Sequence, residues 1–137
     1  MKIQLLTFLF IFFASSIALG NECLEYGPAK VQLKGKINRS VYPGPPEYSN
    51  VAKGDHKEVM WFLSLERPIC VKANAKDPTG FEVEEKNVTD LQMALTPEQY
   101  QEYKNLLGKS AMVSGELFHE HTAHHHTKVL IGVSKIE

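Results

Sequence analysis

A single helix, placed between three predicted strands and two more, restricts the fold of this chain more than any other feature. Thr96 is a good N-cap, Pro97 suits the first helical position, and Gln99 completes a Thr-x-x-Gln capping box. Gly108 is a typical helix end. Between them runs an apolar stripe: Tyr100, Tyr103, Leu106 and Leu107. The pattern predicts a helix from about Pro97 to Leu107 that packs this stripe against a sheet.

Strands are predicted wherever large apolar residues alternate with polar ones. They lie at 31–41, 58–65, 88–95, 109–118 and 128–136, with 69–71 as a candidate extension of the sheet. Gly35 is predicted as a bulge in the first strand. This element order is that of the OB-fold, a five-stranded, partly open Greek-key barrel. We therefore predict a mostly β, OB-like five-stranded barrel with one helix. The alternative is an antiparallel meander or sandwich with one packed helix.

Residues 1–20 have the pattern of a secretory signal peptide. Lys2 gives a positive start, residues 3–13 are almost unbroken apolar sequence, and residues 14–20 supply the small residues that signal peptidase requires. The apolar run is shorter than the about 20 residues that a bilayer requires. We predict cleavage after Gly20, a single domain over 21–137, a periplasmic or secreted location, and no stable membrane insertion after cleavage.

The charge of the chain argues against nucleic-acid binding. Of 15 basic and 16 acidic residues, cleavage would remove one basic residue, Lys2, and no acid, which leaves 14 against 16 and a net charge of −2. Nucleic-acid binders usually carry a basic surplus, with aromatic residues available for stacking. We therefore expect the partner to be an unknown protein or a small ligand of the cell envelope, and no nucleic acid.

Cys23 and Cys70 are the two cysteines of the sequence. In an oxidising compartment such a pair is most simply a disulfide, whereas redox-active or metal-binding pairs usually lie close together, as in C-x-x-C. Closing a loop of about 50 residues stabilises a fold by about 4 kcal/mol in the chain-entropy model. We predict a structural bridge between Cys23 and Cys70.

A long loop follows the first predicted strand. The string Tyr-Pro-Gly-Pro-Pro at residues 42–46 cannot lie within a central strand, because proline has no N–H to donate. Loops of this length in compact domains are often functional. The candidate residues of this recognition loop are Pro43, Pro45, Pro46, Tyr48 and Asp55.

Five of the six histidines fall between residues 119 and 126, where they join the last two strands. Two hairpin registers are open: one places residues 122–123 at the tip, and the slightly preferred one is slipped by one residue and pairs Leu117 with Val129. Either register brings at least three imidazoles together on one face, a competent set for zinc, copper or nickel. The candidate metal ligands are His119, His121, His124, His125 and His126.

The histidines have other interpretations. They are also explained as solvated hairpin residues, or as groups that hydrogen-bond carbonyls of the long loop. A metal-dependent hydrolase would need an acid beside them, for which Glu120 and Asp55 are the candidates. The sequence contains no H-E-x-x-H, no G-x-S-x-G, no P-loop and no Rossmann fingerprint. Enzymatic activity is left open and is not favoured.

The C-terminal part of the sequence resembles a known family. The residues that carry the resemblance are Leu106-Leu107-Gly108-Lys109, Val113-Ser114-Gly115-Glu116-Leu117-Phe118-His119, His124-His125-His126-Thr127 and Val129-Leu130. They are similar to the signature of domain of unknown function 4431, a bacterial family of small exported proteins. Segments at 43–48, 54–55 and 68–71 look like parts of its longer members. The resemblance implies a bacterial, periplasmic setting and assigns no activity.

Together these features predict a non-enzymatic periplasmic binding module. The histidine hairpin and the proline-rich loop would form its recognition surface, in one version around a transition metal. The alternative is an envelope protein-interaction role, such as an inhibitor or an immunity-type protein. The second alternative is a metal-dependent hydrolase.

Overall fold

Five strands close into a barrel in the computed structural model, which describes residues 22–137; the predicted signal peptide and its cleavage site lie outside the described residues. The strands are β1 (Lys30–Pro43), β2 (Lys57–Val71), β3 (Glu85–Ala94), β4 (Ser110–His119) and β5 (Val129–Ile136). Their order around the barrel is β1-β2-β3-β5-β4, and only the β3–β5 pairing is parallel. The predicted OB-like barrel is confirmed over the meander and the sandwich. No helix within residues 22–137 is long and apolar enough to cross a membrane.

The interior of the barrel is filled by every second side chain of its strands. Along β4, buried residues alternate with partly exposed ones from Ala111 to His119. Trp61, Leu63, Val113 and Ile131 are buried in the core. Burial of an aliphatic side chain of this size contributes about 1.5–3 kcal/mol, so this layer is the main favourable term in the stability of the barrel.

Gly35 lies in the part of β1 that pairs with both neighbouring strands, β2 and β4. It pairs with Leu65 of β2 and with Ala111 of β4, and neither ladder shifts its register there. A Cβ atom on Gly35 would lie 2.3 Å from the carbonyl oxygen of Ser64. The predicted bulge is therefore wrong, and glycine is needed here because two backbones approach each other closely.

The helix α1 (Pro97–Glu102) lies between β3 and β4 and begins with the predicted capping box, in which Thr96 and Gln99 each accept from the other's amide. It is shorter than predicted and is followed by a 3-10 turn (Lys104–Leu106). Tyr100 packs edge-on against Trp61, with ring centroids 5.2 Å apart. The apolar stripe is partly buried, because a helix of this length covers only the rim of the core.

The predicted disulfide between Cys23 and Cys70 is confirmed, with Cα atoms 4.6 Å apart. It joins the segment before β1 to the end of β2. Leu24 continues the attachment, because its amide donates to Cys70 O and its carbonyl accepts from the Lys72 amide, both at 2.8 Å. The bridge thus fixes the start of the described chain against the barrel, at the opposite end of β2 from the long loop.

Candidate functional site

Two loops meet on the outer surface of the barrel. The proline loop (residues 44–56) joins β1 to β2, and the histidine loop (residues 120–128) joins β4 to β5. They contact each other through Tyr48 and His124, whose Oη and Nε2 atoms are 3.2 Å apart. The fold therefore brings together the two segments that the sequence singled out as candidates for recognition.

The histidine loop is longer than either predicted hairpin. His119 pairs with Val129, and Leu117 pairs with Ile131, so both the register that paired Leu117 with Val129 and the one with a tight tip at residues 122–123 are wrong. Beyond the ladder, the Glu120 amide donates to Lys128 O at 2.9 Å. The residues in between leave the strand direction and fold over the outer face of β3, whose side chains hold them there.

Gln92 of β3 is the residue that fixes the histidine loop. The residue is only 5% exposed, its Nε2 donates to His124 O at 2.9 Å, and its Oε1 accepts from the His126 amide at 2.7 Å. The Gln92 amide donates to Thr127 Oγ1 at 2.9 Å, and that hydroxyl donates to Val129 O at 2.7 Å. The Gln92 side chain thus makes hydrogen bonds with the loop backbone on both sides of His125.

A second apolar layer lies on the outside of the barrel beneath the histidine loop. Gln92 of β3 pairs with Phe62 of β2 on one side and with Leu130 of β5 on the other. Leu130 also pairs with Phe118 of β4. Phe62 and Leu130 are buried although they alternate with core residues and therefore point outward. The histidine loop contacts this layer through Phe118, against which His121 and His125 pack, and through Gln92, which gives the loop a structural role apart from any ligand.

His119 points away from the other histidines. It is 9% exposed, its Nε2 lies 2.8 Å from Glu85 Oε1, and its Nδ1 lies 3.2 Å from Glu120 O. Its ring meets the buried Tyr26 edge-on, with centroids 6.3 Å apart. The Tyr26 hydroxyl donates to Val83 O, and burial, with smaller effects of Glu85 and Glu82, raises the pKa of Tyr26 to about 12. This end of β4 is therefore a packed polar cluster.

His121 and His125 form a pair at the tip of the histidine loop. Their ring centroids are 4.7 Å apart, and the His121 amide donates to His125 Nδ1 at 3.0 Å. His121 Nδ1 lies 3.0 Å from His119 O and so donates to it. Both rings contact Phe118, at centroid distances of 6.1 and 5.6 Å.

His124 and His126 face the proline loop and β1. His124 Nδ1 lies 2.6 Å from Glu58 Oε1. The His126 ring stacks on Tyr42, with centroids 3.7 Å apart and planes 8° from parallel. We name the surface formed by Tyr42, Tyr48, Glu58, His124 and His126 the two-loop surface.

The proline loop is held in shape by Asp55, which is buried. Its carboxylate accepts from the amides of Glu47 at 3.0 Å and of Ser49 and Asn50 at 2.7 Å each. These backbone hydrogen bonds, that from Asn50 foremost, lower the pKa of Asp55. Tyr48 lies among these donors with a φ of 55°, a left-handed conformation that tyrosine rarely adopts. Asp55 is therefore a structural residue of the loop, and Tyr48 is the predicted residue that reaches the histidines.

The three prolines of the predicted recognition loop lie apart from these contacts. Pro45 and Pro46 are exposed, Pro43 is partly buried at the end of β1, and Gly44 is buried beside Glu58. The Pro45 carbonyl accepts from the His56 amide at 2.8 Å, so the loop closes on itself at this point. The prolines shape the loop, and its side-chain contact with the histidine loop is made by Tyr48.

The prediction that at least three imidazoles meet at one point is wrong. Within residues 22–137, no three His, Cys, Asp or Glu side chains are placed so that they could hold a metal ion. Most ring nitrogens of these histidines already contact protein groups. Both nitrogens of His119 face oxygen acceptors. His125 Nδ1 accepts a backbone N–H, so the proton of the neutral His125 ring lies on Nε2. His121 Nε2 is the atom of that pair whose lone pair stays available. The acids proposed for a hydrolase are engaged as well, Glu120 with Lys128 at 2.6 Å and Asp55 within its loop.

The environment of the histidine loop disfavours positive charge on two rings. Burial is the largest cause that lowers the pKa of His125, followed by the neighbouring rings of His121 and His124. Burial also lowers the pKa of His126, against an opposing effect of Glu58. Glu58 Oε2 and His126 Nε2 are buried and have no hydrogen-bond partner among the described residues.

Sequence reasoning missed four residues that shape this site: Tyr42, Glu58, Glu85 and Gln92. Each lies in or next to a strand, where a polar or aromatic residue predicts only an outward-facing position. The signal that could have found Gln92 is its place in β3, between Leu91 and Met93, where an outward amide lies within an apolar run.

Comparison with known proteins gives a family match over the C-terminal part of the chain. The family model described as Domain of unknown function (DUF4431) matches residues 90–137, from β3 through the histidine loop to the end of the chain. The resemblance predicted from the histidine string is thereby confirmed over these residues. No curated protein and no solved structure matches.

Proposed function

We propose that this chain, whose residues 90–137 match the family model Domain of unknown function (DUF4431), is an exported binding module that recognises a glycan of the cell envelope at the two-loop surface. The observation that carries the proposal is the contact between Tyr48 Oη and His124 Nε2, which joins the proline loop and the histidine loop into one continuous surface. Sites built from several loops on a rigid barrel are a common arrangement for ligand binding.

The architecture favours a glycan among small ligands. In OB-folds the face of strands 2 and 3, together with the loops that join strands 1 to 2 and 4 to 5, binds oligonucleotides and oligosaccharides. The two-loop surface lies at that place in the barrel, and this analogy of fold favours an oligosaccharide or an oligonucleotide. The acidic balance of the chain and the carboxylate of Glu58 oppose a polyanion, which leaves the oligosaccharide.

The chemistry of the two-loop surface suits a sugar. Partly exposed Tyr48 offers an aromatic face, on which the C–H groups of a pyranose can pack, beside the stacked rings of Tyr42 and His126. His124, whose side chain is 48% exposed, and the hydroxyl of Tyr48 can exchange hydrogen bonds with sugar hydroxyls. Asp55 fixes the proline loop and Gln92 fixes the histidine loop, so little conformational entropy is lost on binding.

Isothermal titration calorimetry with soluble peptidoglycan glycan strands and with chito-oligosaccharides tests the proposal. We expect Tyr48→Ala and His124→Ala to weaken binding at least tenfold, which corresponds to about 1.4 kcal/mol. Lys104→Ala, in the 3-10 turn after α1, is the control and should bind as the unchanged protein does. The proposal fails if the folded protein binds neither probe, or if the control loses as much affinity as the two loop variants.

A further inference from the structure

Glu58, Tyr48 and the two ring nitrogens of His124 lie in close contact: the carboxylate faces one nitrogen and the hydroxyl is hydrogen-bonded to the other. Glu58 Oε1 lies 2.6 Å from His124 Nδ1, and His124 Nε2 lies 3.2 Å from Tyr48 Oη. A carboxylate only accepts, so it places the proton of a neutral imidazole on Nδ1 and leaves Nε2 as the acceptor. The Tyr48 hydroxyl then donates to Nε2. A carboxylate, an imidazole and a hydroxyl in this order are the parts of an activated nucleophile.

Each of these three residues is held by a separate element. The Glu58 side chain, on β2, is 14% exposed. The backbone of His124 is fixed by Gln92 through its carbonyl. Tyr48 is held in its left-handed conformation by Asp55, which binds the amides on either side of it. Non-glycine residues in this conformation are found where surrounding structure enforces them, often at functional sites.

We propose that Tyr48 is a nucleophile that accepts an acyl group from an activated ester, with His124 as its general base and Glu58 as the residue that positions His124. In the step, Tyr48 Oη attacks the carbonyl carbon while its proton passes to His124 Nε2. The bond to the leaving group breaks, and the leaving oxygen or sulfur takes the proton from His124. The products are an O-acyl tyrosine and a free phenol or thiol. Water then cleaves the acyl group as a carboxylic acid and restores Tyr48.

The substrate class follows from the leaving group. Phenols such as tyrosine have an ordinary pKa of about 10, and acyl transfer runs toward the more basic oxygen. Aryl esters and thioesters, whose leaving groups are more acidic than tyrosine, can therefore acylate Tyr48, whereas simple alkyl esters transfer poorly. Tyr48 is partly exposed beside exposed His124, so an acyl donor can reach it.

Reaction with p-nitrophenyl acetate in the presence of a chelator tests this activity without any glycan, so its failure leaves the glycan proposal untouched. We expect a burst of p-nitrophenolate close to one equivalent, and one acetyl group on Tyr48 by peptide mass spectrometry. Tyr48→Phe should abolish the burst. The matched control is Tyr103→Phe, since Tyr103 packs against the core.

His124→Ala should slow acetylation of Tyr48 by about 100-fold or more, the usual contribution of a general base. Added imidazole should restore labelling of Tyr48 in this variant, which a merely structural role of His124 would not produce. Glu58→Gln should slow the reaction less than His124→Ala. Equal labelling of Tyr42 and Tyr48, or an unchanged rate in His124→Ala, would overturn the proposal.

Discussion

The side-chain oxygen of Gln92 accepts a hydrogen bond of 2.7 Å from the amide of His126, across two segments that are distant in the sequence. With the bond from Gln92 Nε2 to His124 O, it fastens the histidine loop to β3. The histidine loop is therefore ordered by a residue outside the histidine string.

Replacement of Gln92 by Ala should detach the histidine loop from β3. It leaves a partly buried amide and a partly buried carbonyl of the loop without their protein partners, and each lost hydrogen bond should lower the stability by about 0.5–1.5 kcal/mol. We expect a lower midpoint of urea unfolding and faster hydrogen exchange at His124 and His126. Gln32→Ala, at an exposed position of β1, is the control. Unchanged exchange in the Gln92 variant would show that the loop is held by other contacts.

Acid should loosen the histidine loop. Burial lowers the pKa of His125 and His126 below their ordinary value of 6.5, so the open form binds more protons near that pH. The stability of the closed loop is therefore complete above about pH 6.5, falls as the pH drops from there to the lowered pKa, and is constant below it. Hydrogen exchange of residues 121–126 at several pH values measures this change. His126→Phe keeps the stack on Tyr42 without a titrating ring, and should be less sensitive to acid; equal sensitivity would contradict the assignment.

Asp55→Asn should disorder the proline loop. The substitution replaces one carboxylate oxygen by an NH₂ group that faces backbone donors, which removes acceptors from Ser49 and Asn50 or from Glu47. We expect faster proteolysis within residues 44–56 and loss of Tyr48 acetylation, while the barrel keeps its circular dichroism. Because the pKa of Asp55 is lowered in the fold, its contribution is present above the ordinary value of 3.8 and is lost as the pH falls through the lowered pKa. Glu47→Gln, on an exposed side chain, is the control, and an equally cleaved control would refute the role of Asp55.

Binding of zinc, copper or nickel is expected to depend on His121 more than on His119. His121 Nε2 keeps a free lone pair, whereas both nitrogens of His119 face Glu85 and Glu120. Calorimetry on untagged protein should show a larger loss of affinity in His121→Ala than in His119→Ala. Affinity should fall below about pH 6.5, because only neutral imidazole binds a metal ion. Equal losses in both variants would indicate a flexible, tag-like set of histidines.

The strands and the helix start were predictable because their signals are local. The alternation of Val113 to Leu117 and the capping box of Thr96 and Gln99 lie within a few residues of sequence. The histidine register was not predictable, since it depends on Gln92, which lies some thirty residues away and offers no distinctive pattern. Tyr48 was correctly selected as a loop residue. Its partners Glu58 and His124 come from two other parts of the chain, and only the closed barrel brings them to it.

The parallel contact between β3 and β5 consists of three residue pairs, beginning with Gln92 and Leu130. It is the shortest ladder of the barrel, and its first pair is also the anchor of the histidine loop. Separation of the loop from β3 therefore weakens the ladder that closes the barrel. Two strand edges would then be free to pair with another chain, which is a route to aggregation that native folds avoid. The order of the histidine loop and the protection of these strand edges are consequently linked through one glutamine.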